Sequence, residues 1–270
     1  FVVLRRTSWF DRVAFGGIAL LFVIAVAAPL IAPYSPIATP GKPFTPPFTD
    51  GFLLGTDDVG RDIFSRVIFG IQSTWLGALV VIASGIVIGG MIGLIAGATG
   101  GWVDATLMRI TDIFLALPGP VLAISIVAAL GPSLWHTLLA VMVVWWPLYA
   151  RIVRGEIRAL AKRPHMEAAR LAGVGPFRRM FRHLAPGAIA PTIVAASLDE
   201  SALVITLSSL SVLGLGAPAP APELGAMSAR GINYLIEYWW VPVMPALAVF
   251  FIAVIANLGG DAARDLRGKA

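Results

Sequence analysis

The sequence contains no cysteine, which removes disulfides, thiolate nucleophiles and zinc–sulfur sites from consideration. Charge is scarce as well: 13% of its 270 residues are Asp, Glu, Lys or Arg, against roughly 25% in an average soluble domain. The three histidines, His136, His165 and His183, do not cluster, so a histidine-built metal site is not expected. The pattern GxxxxGK[ST] is missing, because Gly41-Lys42 and Gly268-Lys269 lack its remaining residues, and the chain is not expected to bind ATP by a phosphate loop. GxSxG, HExxH and a Ser/His/Asp arrangement are missing too. No catalytic residue, metal or cofactor is therefore assigned, and uphill transport would draw its energy from an ion gradient or a partner.

What is present in excess is apolar surface. Hydrophobic residues make up 58% of the chain, the mean hydropathy is +0.85, and several runs approach the ~18 apolar residues that mark a membrane span. Six transmembrane helices are expected, over residues 13–32, 75–98, 113–130, 134–150, 188–213 and 241–258. Helices are required because lipid-facing backbone must satisfy its own hydrogen bonds, and the runs are too long and continuous for barrel strands. The fold class is all-α integral membrane protein, with residues 1–270 as a single membrane domain. The chain opens on Phe1 rather than Met, so a short preceding piece is expected. The first apolar run is too long for a signal peptide.

Basic residues set the expected orientation. With the N-terminus inside, 16 of the 20 lysines and arginines fall on the cytoplasmic side, and only Lys42, Arg61, Arg66 and Arg230 fall outside. Arg5, Arg6, Arg12, Arg109, Arg264, Arg267 and Lys269 contribute to the inner set, and residues 151–186 supply the other nine. This bias places both termini in the cytoplasm. The net charge of +5 then reflects membrane orientation, and nucleic acid is not an expected partner.

Three features lie inside the spans. Gly85, Gly89, Gly93 and Gly97 recur every four residues and form one stripe, suited to close helix packing or to a hinge. Pro118 and Pro120 should kink or break the third span. Asp199 and Glu200 stand in the middle of the fifth, where acidic groups are costly. They either hydrogen-bond to neighbouring helices or line a pathway that favours a cationic group on the cargo.

The basic loop 151–186 and the external segment 33–74 carry the remaining chemistry. Arg163-Pro164-His165 should start a short helix, with Glu167 favourably placed near its N-terminus. Ala168, Ala169, Leu171 and Ala172 continue it, and Gly173 should end it. Gly175-Pro176 turns the chain into a second helix, expected to be amphipathic, with Phe177, Met180, Phe181 and Leu184 on one face and Arg178, Arg179 and Arg182 on the other. Arginines could hold this second helix against anionic headgroups; the small-residue surface of the first suits docking against a protein. In the external segment, residues 35–49 hold five prolines and should be extended. Asp57, Asp58, Arg61, Asp62 and Arg66 follow, and Arg61, Ile63, Phe64 and Val67 are expected in a short interfacial helix. That helix is either held by internal ion pairs or shaped as an outer gate and docking contact.

EAARLAG (residues 167–173), followed thirteen residues later by Pro186, resembles the EAA---G signature of binding-protein-dependent ABC importer permeases. Glu167, Ala168, Ala169 and Gly173 match it; His183 and Ala185 depart from the usual Ile and Leu before the proline. LGTDDVGRDIFSR (54–66), GLIAGATGGWVD (93–104), MRITDIFLALP (108–118) and LGLGAPAPAPELGAM (213–227) resemble the oligopeptide and dipeptide permease branch, its C-type subunit in particular, over about residues 53–265.

The resemblance implies a type I ABC importer permease fold in a bacterial cytoplasmic membrane. Implied partners are a homologous B-type permease subunit, two ATPase subunits that bind ATP and Mg, and an extracytoplasmic substrate-binding protein. It implies a coupling helix whose ATPase contacts are Glu167, Ala168, Ala169 and Gly173, with Arg170, Arg163 and His165 as further candidates. Peptides are the implied cargo, with nickel, glutathione or another small solute as the alternative. Asp57, Asp58, Arg61 and Asp62 are candidates for an external gate or binding-protein contact, and Asp199 and Glu200 for the pathway. An ion-coupled carrier working alone and a non-transporting scaffold are the remaining readings; neither accounts for the EAA loop.

Overall fold

The computed structural model describes residues 8–268. Arg5, Arg6, Lys269 and the side chain of Arg267, used above for orientation, lie outside the described residues. In chain order the helices are α1 (Trp9–Val26), α2 (Ala28–Ile31), α3 (Ile63–Thr99), α4 (Gly101–Ala116), α5 (Gly119–Leu130) and α6 (Leu134–Ala161). They continue with α7 (Pro164–Leu171), α8 (Pro176–Arg179), a π-helical turn Met180–Leu184, α9 (Ala185–Val212), α10 (Leu224–Gly231) and α11 (Trp240–Gly268). Among the described residues the only β pairing is two isolated bridges, Thr49 with Phe52 and Thr56 with Asp62.

Five helical stretches are long and apolar enough to cross a bilayer: Trp9–Val26, Ile63–Thr99, Leu134–Ala161, Pro176–Val212 and Trp240–Asp265. The pair Gly101–Ala116 and Gly119–Leu130, bent by 84°, makes a sixth if it is counted as one span. The six-span expectation holds in number, but the boundaries differ for local reasons. The first span is shorter than residues 13–32, because Ala27 leaves helical geometry before Pro29 starts α2. The short interfacial helix expected near residues 61–67 is instead the first turn of α3, since the Asp62 carboxylate accepts both the Ser65 N–H and its hydroxyl and caps the long helix. The third span does break: Leu117, ahead of Pro118, takes an extended ψ of 137°, as a residue before proline prefers. α3 and α4 part where Gly100 and Gly101 both adopt positive φ, 67° and 58°, a conformation open to glycine.

The expected single membrane domain divides by packing into two compact units, each assembled from discontinuous segments. One comprises Phe1–Leu79, Ile124–Leu138 and Ser197–Ala270. Within it α1 lies against α11, with Gly17 facing Ile255 and Gly259 facing Ile18. Residues 33–62 form no helix, as their prolines predict. They are held by side chain to backbone bonds, the Thr45 N–H donating to Thr56 Oγ1 at 2.8 Å and Thr56 Oγ1 donating to the Lys42 carbonyl at 2.6 Å.

The other unit comprises Val80–Ala123 and Leu139–Ala196, and the glycine stripe organises it. A methyl group on Gly89 would overlap the Trp146 carbonyl oxygen, and one on Gly93 the Ala150 carbonyl oxygen. On Gly85 it would meet the Tyr149 ring at 2.7 Å, and on Gly97 Ile157 at 2.9 Å. The stripe is thus a seam along which α3 lies backbone to backbone against α6. Three ion pairs, made by two carboxylates, tie α4 to the same helix. Asp104, buried, takes Arg154 Nη2 at 2.7 Å and Arg158 Nη2 at 2.8 Å, and half-exposed Asp112 takes Arg151 at 2.7 Å.

Replacement at the seam tests this packing directly. Gly93→Leu must displace backbone rather than a flexible side chain, so it should destabilise by about 3 kcal/mol or more and lower the thermal midpoint followed by tryptophan emission in detergent. Gly90→Ala, one residue off the stripe with only Val153 Cγ2 at 3.9 Å, should leave that midpoint near wild type.

Candidate functional site

α6 does not stop at residue 150, where its apolar run ends, but continues to Ala161. Arg154 and Arg158 on this extension share the Asp104 carboxylate, which offsets part of their mutual repulsion. After the Lys162-Arg163 turn, α7 begins with Pro164 in its first turn and Glu167 just behind it. It ends as expected. Gly173 has φ 73°, its N–H donates to the Arg170 carbonyl at 3.1 Å, and the Val174 N–H donates to the Ala169 carbonyl at 3.1 Å. These two bonds form the Schellman closure, and they fix the length and exit direction of α7.

α7 has two distinct faces. Met166, 6% exposed, packs into a buried cluster with Leu94 of α3, Val153, Ile157 and Leu160 of α6, and Met180, Leu184 and Ala188 beyond. Beside it Arg163, Glu167 and Arg170 line a cleft of about 430 Å³. His165, Ala168 and Ala172 lie on the opposite, exposed face, next to Leu171, which is 87% exposed. The expected ATPase contacts therefore divide: His165 and Ala168 face outward, Ala169 is half-buried, and Glu167, Arg163 and Arg170 turn toward the cleft. Met166 was missed in the sequence, although its place one turn beyond Arg163 on the cleft-side face marks it as the anchor.

The second helix departs from its expected form. It runs from α8 through the π turn without interruption into α9. The expected apolar face splits: Met180 and Leu184 are buried, whereas Phe177 is 75% and Phe181 49% exposed. The wider π turn keeps the first pair on the cluster and leaves the two phenylalanines on the surface.

In the first unit, Glu200 is buried beside Trp75, and neither Glu200 Oε1 nor Trp75 Nε1 completes a hydrogen bond. Asp199 is half-buried. The acidic residues of the external segment prove mostly internal. Asp57 is 6% exposed and accepts the Val59 and Arg61 N–H groups and Arg61 Nε; Asp62 is 2% exposed and caps α3. Among the four candidates, Asp58 is the exposed carboxylate, 3.6 Å from Arg61.

Arg66, read in the sequence only as part of a mixed-charge run, and Glu223, passed over there, hold this region together. Arg66, 1% exposed, donates to the carbonyls of Pro36 at 2.6 Å, Pro220 at 3.1 Å and Ala221 at 3.4 Å, and lies 3.7 Å from Asp57. It joins two loops distant in sequence. Glu223 accepts from the Ser211 hydroxyl and the Ala217 N–H, closing residues 213–222 on themselves. Burial lifts its carboxyl above the usual carboxylate range against the pull of these hydrogen bonds.

Removing the Arg66 guanidinium leaves the carbonyls of Pro36, Pro220 and Ala221 without their donor, a loss of about 3 kcal/mol or more. Arg66→Met should therefore speed proteolysis within residues 33–62 several-fold. Asp58→Lys, at the surface, should leave the cleavage rate unchanged.

Comparisons with known proteins agree with this geometry. The family profile described as binding-protein-dependent transport system inner membrane component matches residues 85–266. The chain is 38% identical over 249 residues to the probable D,D-dipeptide transport system permease protein DdpC of Escherichia coli (strain K12), covering 92% of this chain and 84% of that protein. It is also 38% identical over 265 residues to the di/tripeptide transport system permease protein DppC of Pseudomonas aeruginosa (strain UCBPP-PA14), covering 94% and 87%. Among solved structures, a chain of the inward-facing MetNI methionine ABC transporter superposes with a TM-score of 0.61 at 22% identity, over 77% of this chain and 98% of that one. The fold is that of a type I ABC importer permease, in a multi-pass membrane protein. The chain belongs to the family of inner membrane components of binding-protein-dependent transport systems.

Proposed function

We propose that the chain is one of two permease subunits of an ATP-driven importer in a bacterial plasma membrane, carrying peptides delivered by an extracytoplasmic binding protein. The observation that carries this reading is the construction of α7. Its outer face is small and exposed, its end is fixed by the Schellman closure, and its inner face is rooted by Met166 in the ends of α3 and α6. Such a helix can receive a push on one side and deliver it to two spans on the other. The peptide-transport relatives support the cargo class, and the basic character of residues 151–182 supports a cytoplasmic position for α7 and for both termini.

In this reading two ATPase subunits bind ATP and Mg and perform the hydrolysis, while this chain binds neither and catalyses nothing. One ATPase seats α7 through Ala168, Ala169, His165 and the turn at Gly173, with Glu167, Arg163 and Arg170 supporting from the cleft side. A homologous B-type permease supplies the other half of the pathway. Closure of the ATPases displaces α7, and the Met166 cluster passes that displacement to α3 and α6 because a close-packed contact has little room to absorb it. Outside, Asp58 is the exposed part of the binding-protein contact, with the largely buried Arg61 and with Asp57 and Asp62 holding the segment in shape. Asp199 and Glu200 bias the pathway toward cargo bearing a positive charge.

Two variants separate docking from transmission. Ala168→Arg should abolish co-purification of the ATPase subunits. Met166→Ala should retain them but uncouple hydrolysis from the binding protein, because it leaves a cavity behind a helix that still docks. Normal uptake in both variants of the reconstituted complex would reduce α7 to a surface anchor and end the coupling role proposed for it. For the acidic pair, Asp199→Asn with Glu200→Gln should lower uptake of cationic peptides relative to neutral ones; an equal rate for both cargo types would remove the pair from the pathway.

A further inference from the structure

The cleft behind α7 holds more positive charge than docking of a small-residue helix requires. Lys162, Arg163, Arg170 and Arg179 converge on it, with Glu167 the one carboxylate among its lining residues. None of these four cationic side chains has an ion-pair or hydrogen-bond partner among the described residues, whereas Arg151, Arg154 and Arg158 just upstream on α6 are all paired. The floor of the cleft is apolar, made by Ala98, Met166 and Leu184.

A second, apolar groove of about 300 Å³ lies in the same packing unit, along α3 and α9. Its one polar side chain, Thr192, spends its hydroxyl on the Ala188 carbonyl at 2.7 Å, so the wall is hydrocarbon in effect. The two cavities adjoin. Leu94 of the groove and Ala98 of the cleft are one helical turn apart on α3, and Leu184 of the cleft directly precedes Ala185 of the groove.

From this juxtaposition we infer that cleft and groove together bind one anionic phospholipid, its phosphate headgroup among Lys162, Arg163, Arg170 and Arg179 and one acyl chain along Gly90, Leu94 and Ala188. The chemistry selects a lipid over other anions. A free phosphate or an acidic protein segment would use the four cations but would have no use for a groove lined by Ile86, Val87, Met91 and Ile193. A neutral lipid would use the groove and leave the cations unanswered. Basic groups at the membrane surface attract anionic headgroups, and the groove adds the shape that keeps one lipid in place. The inference rests on the reading that α7 lies at the cytoplasmic membrane surface. It deepens that reading: the lipid becomes a wall behind the coupling helix, opposite the ATPase.

The test is native mass spectrometry of the complete importer, released from detergent in an equimolar mixture of phosphatidylglycerol and phosphatidylcholine with identical acyl chains. Wild type should retain phosphatidylglycerol over phosphatidylcholine by roughly tenfold, the scale expected of several cations acting on one headgroup. Lys162→Gln with Arg179→Gln, which leaves the proposed ATPase contacts in place, should bring that ratio close to one. Gly90→Leu, which fills the groove without altering charge, should lower retention of both lipids.

Equal retention of the two lipids by wild type would overturn the proposal. So would displacement of phosphatidylglycerol by millimolar inorganic phosphate, which would make the site one for free phosphate. If the preference exists in the permease pair but vanishes with the ATPases bound, an acidic ATPase surface is the occupant and the lipid is not. If Gly90→Leu separates the two permeases, the groove is a subunit interface. The same spectra record whether the ATPases remain attached, so a failure of the coupling reading is seen as lost ATPase mass and not confused with lost lipid.

Discussion

The contact on which the second unit depends is the seam where a glycine stripe of α3, contributing no side chain, meets α6. In a bilayer, lipid tails are as apolar as the helices, so burial gives little drive for association, and close van der Waals approach has to supply it. Gly89 and Gly93 allow the helix backbone to come up to the carbonyls of Trp146 and Ala150. Because that approach is set by backbone atoms, it leaves α6 little freedom to slide or rotate on α3. Everything C-terminal to the seam inherits its position: the paired arginines, the Lys162-Arg163 turn, and the root of α7 in the Met166 cluster.

Extending α6 beyond its apolar run meets an electrostatic difficulty, and the fold resolves it locally. Arg154 and Arg158 lie one turn apart on the same face, where like charges repel. Buried Asp104 answers both, and the price of burying that carboxylate is met by two guanidiniums rather than one. From Lys162 through α8 none of the cations has an ion pair among the described residues. In the proposed site the cations of the turn and of α7 and α8 meet a partner outside the chain, so the chemistry changes from internal tie to external contact within a single turn of helix.

The legible and illegible parts of the structure follow the same division. Apolar runs, the glycine stripe, the Pro118 break and the Gly173 stop were readable because each rests on one residue type with one strong local effect. Helix lengths were not, because they depend on partners distant in sequence. α3 starts at Ile63 through the Asp62 cap and its burial among loops, and α6 reaches Ala161 through Asp104. The external carboxylates misled for a related reason: charge in an extracellular-type segment reads as surface, yet Asp57 and Asp62 are spent on backbone N–H groups and on Arg61 and Ser65. Arg66 and Glu223 were invisible as organisers, since their importance lies in carbonyls and amide groups that composition cannot place. On α7 the EAA residues were found by resemblance, but their division between two faces required the helix to be seen in its setting.

That division bears on how a helix of eight residues can work in the coupling role proposed for it. A short helix isolated in water would not hold its shape, and a helix bound on every side could not respond to a partner. α7 avoids both conditions. One apolar side chain, Met166, joins it to close-packed spans, two backbone bonds close its end, and at Ala168 and Ala172 its outer face is small enough for a partner surface to reach the backbone. A larger residue than alanine at 168 would hold that surface away from the helix. A smaller residue than methionine at 166 would let the helix yield without moving the spans. In the proposed coupling, the pairing of a small outer residue with a large inner one two positions earlier is a mechanical requirement, and it places the burden of transmission on Met166, a residue outside the signature motif.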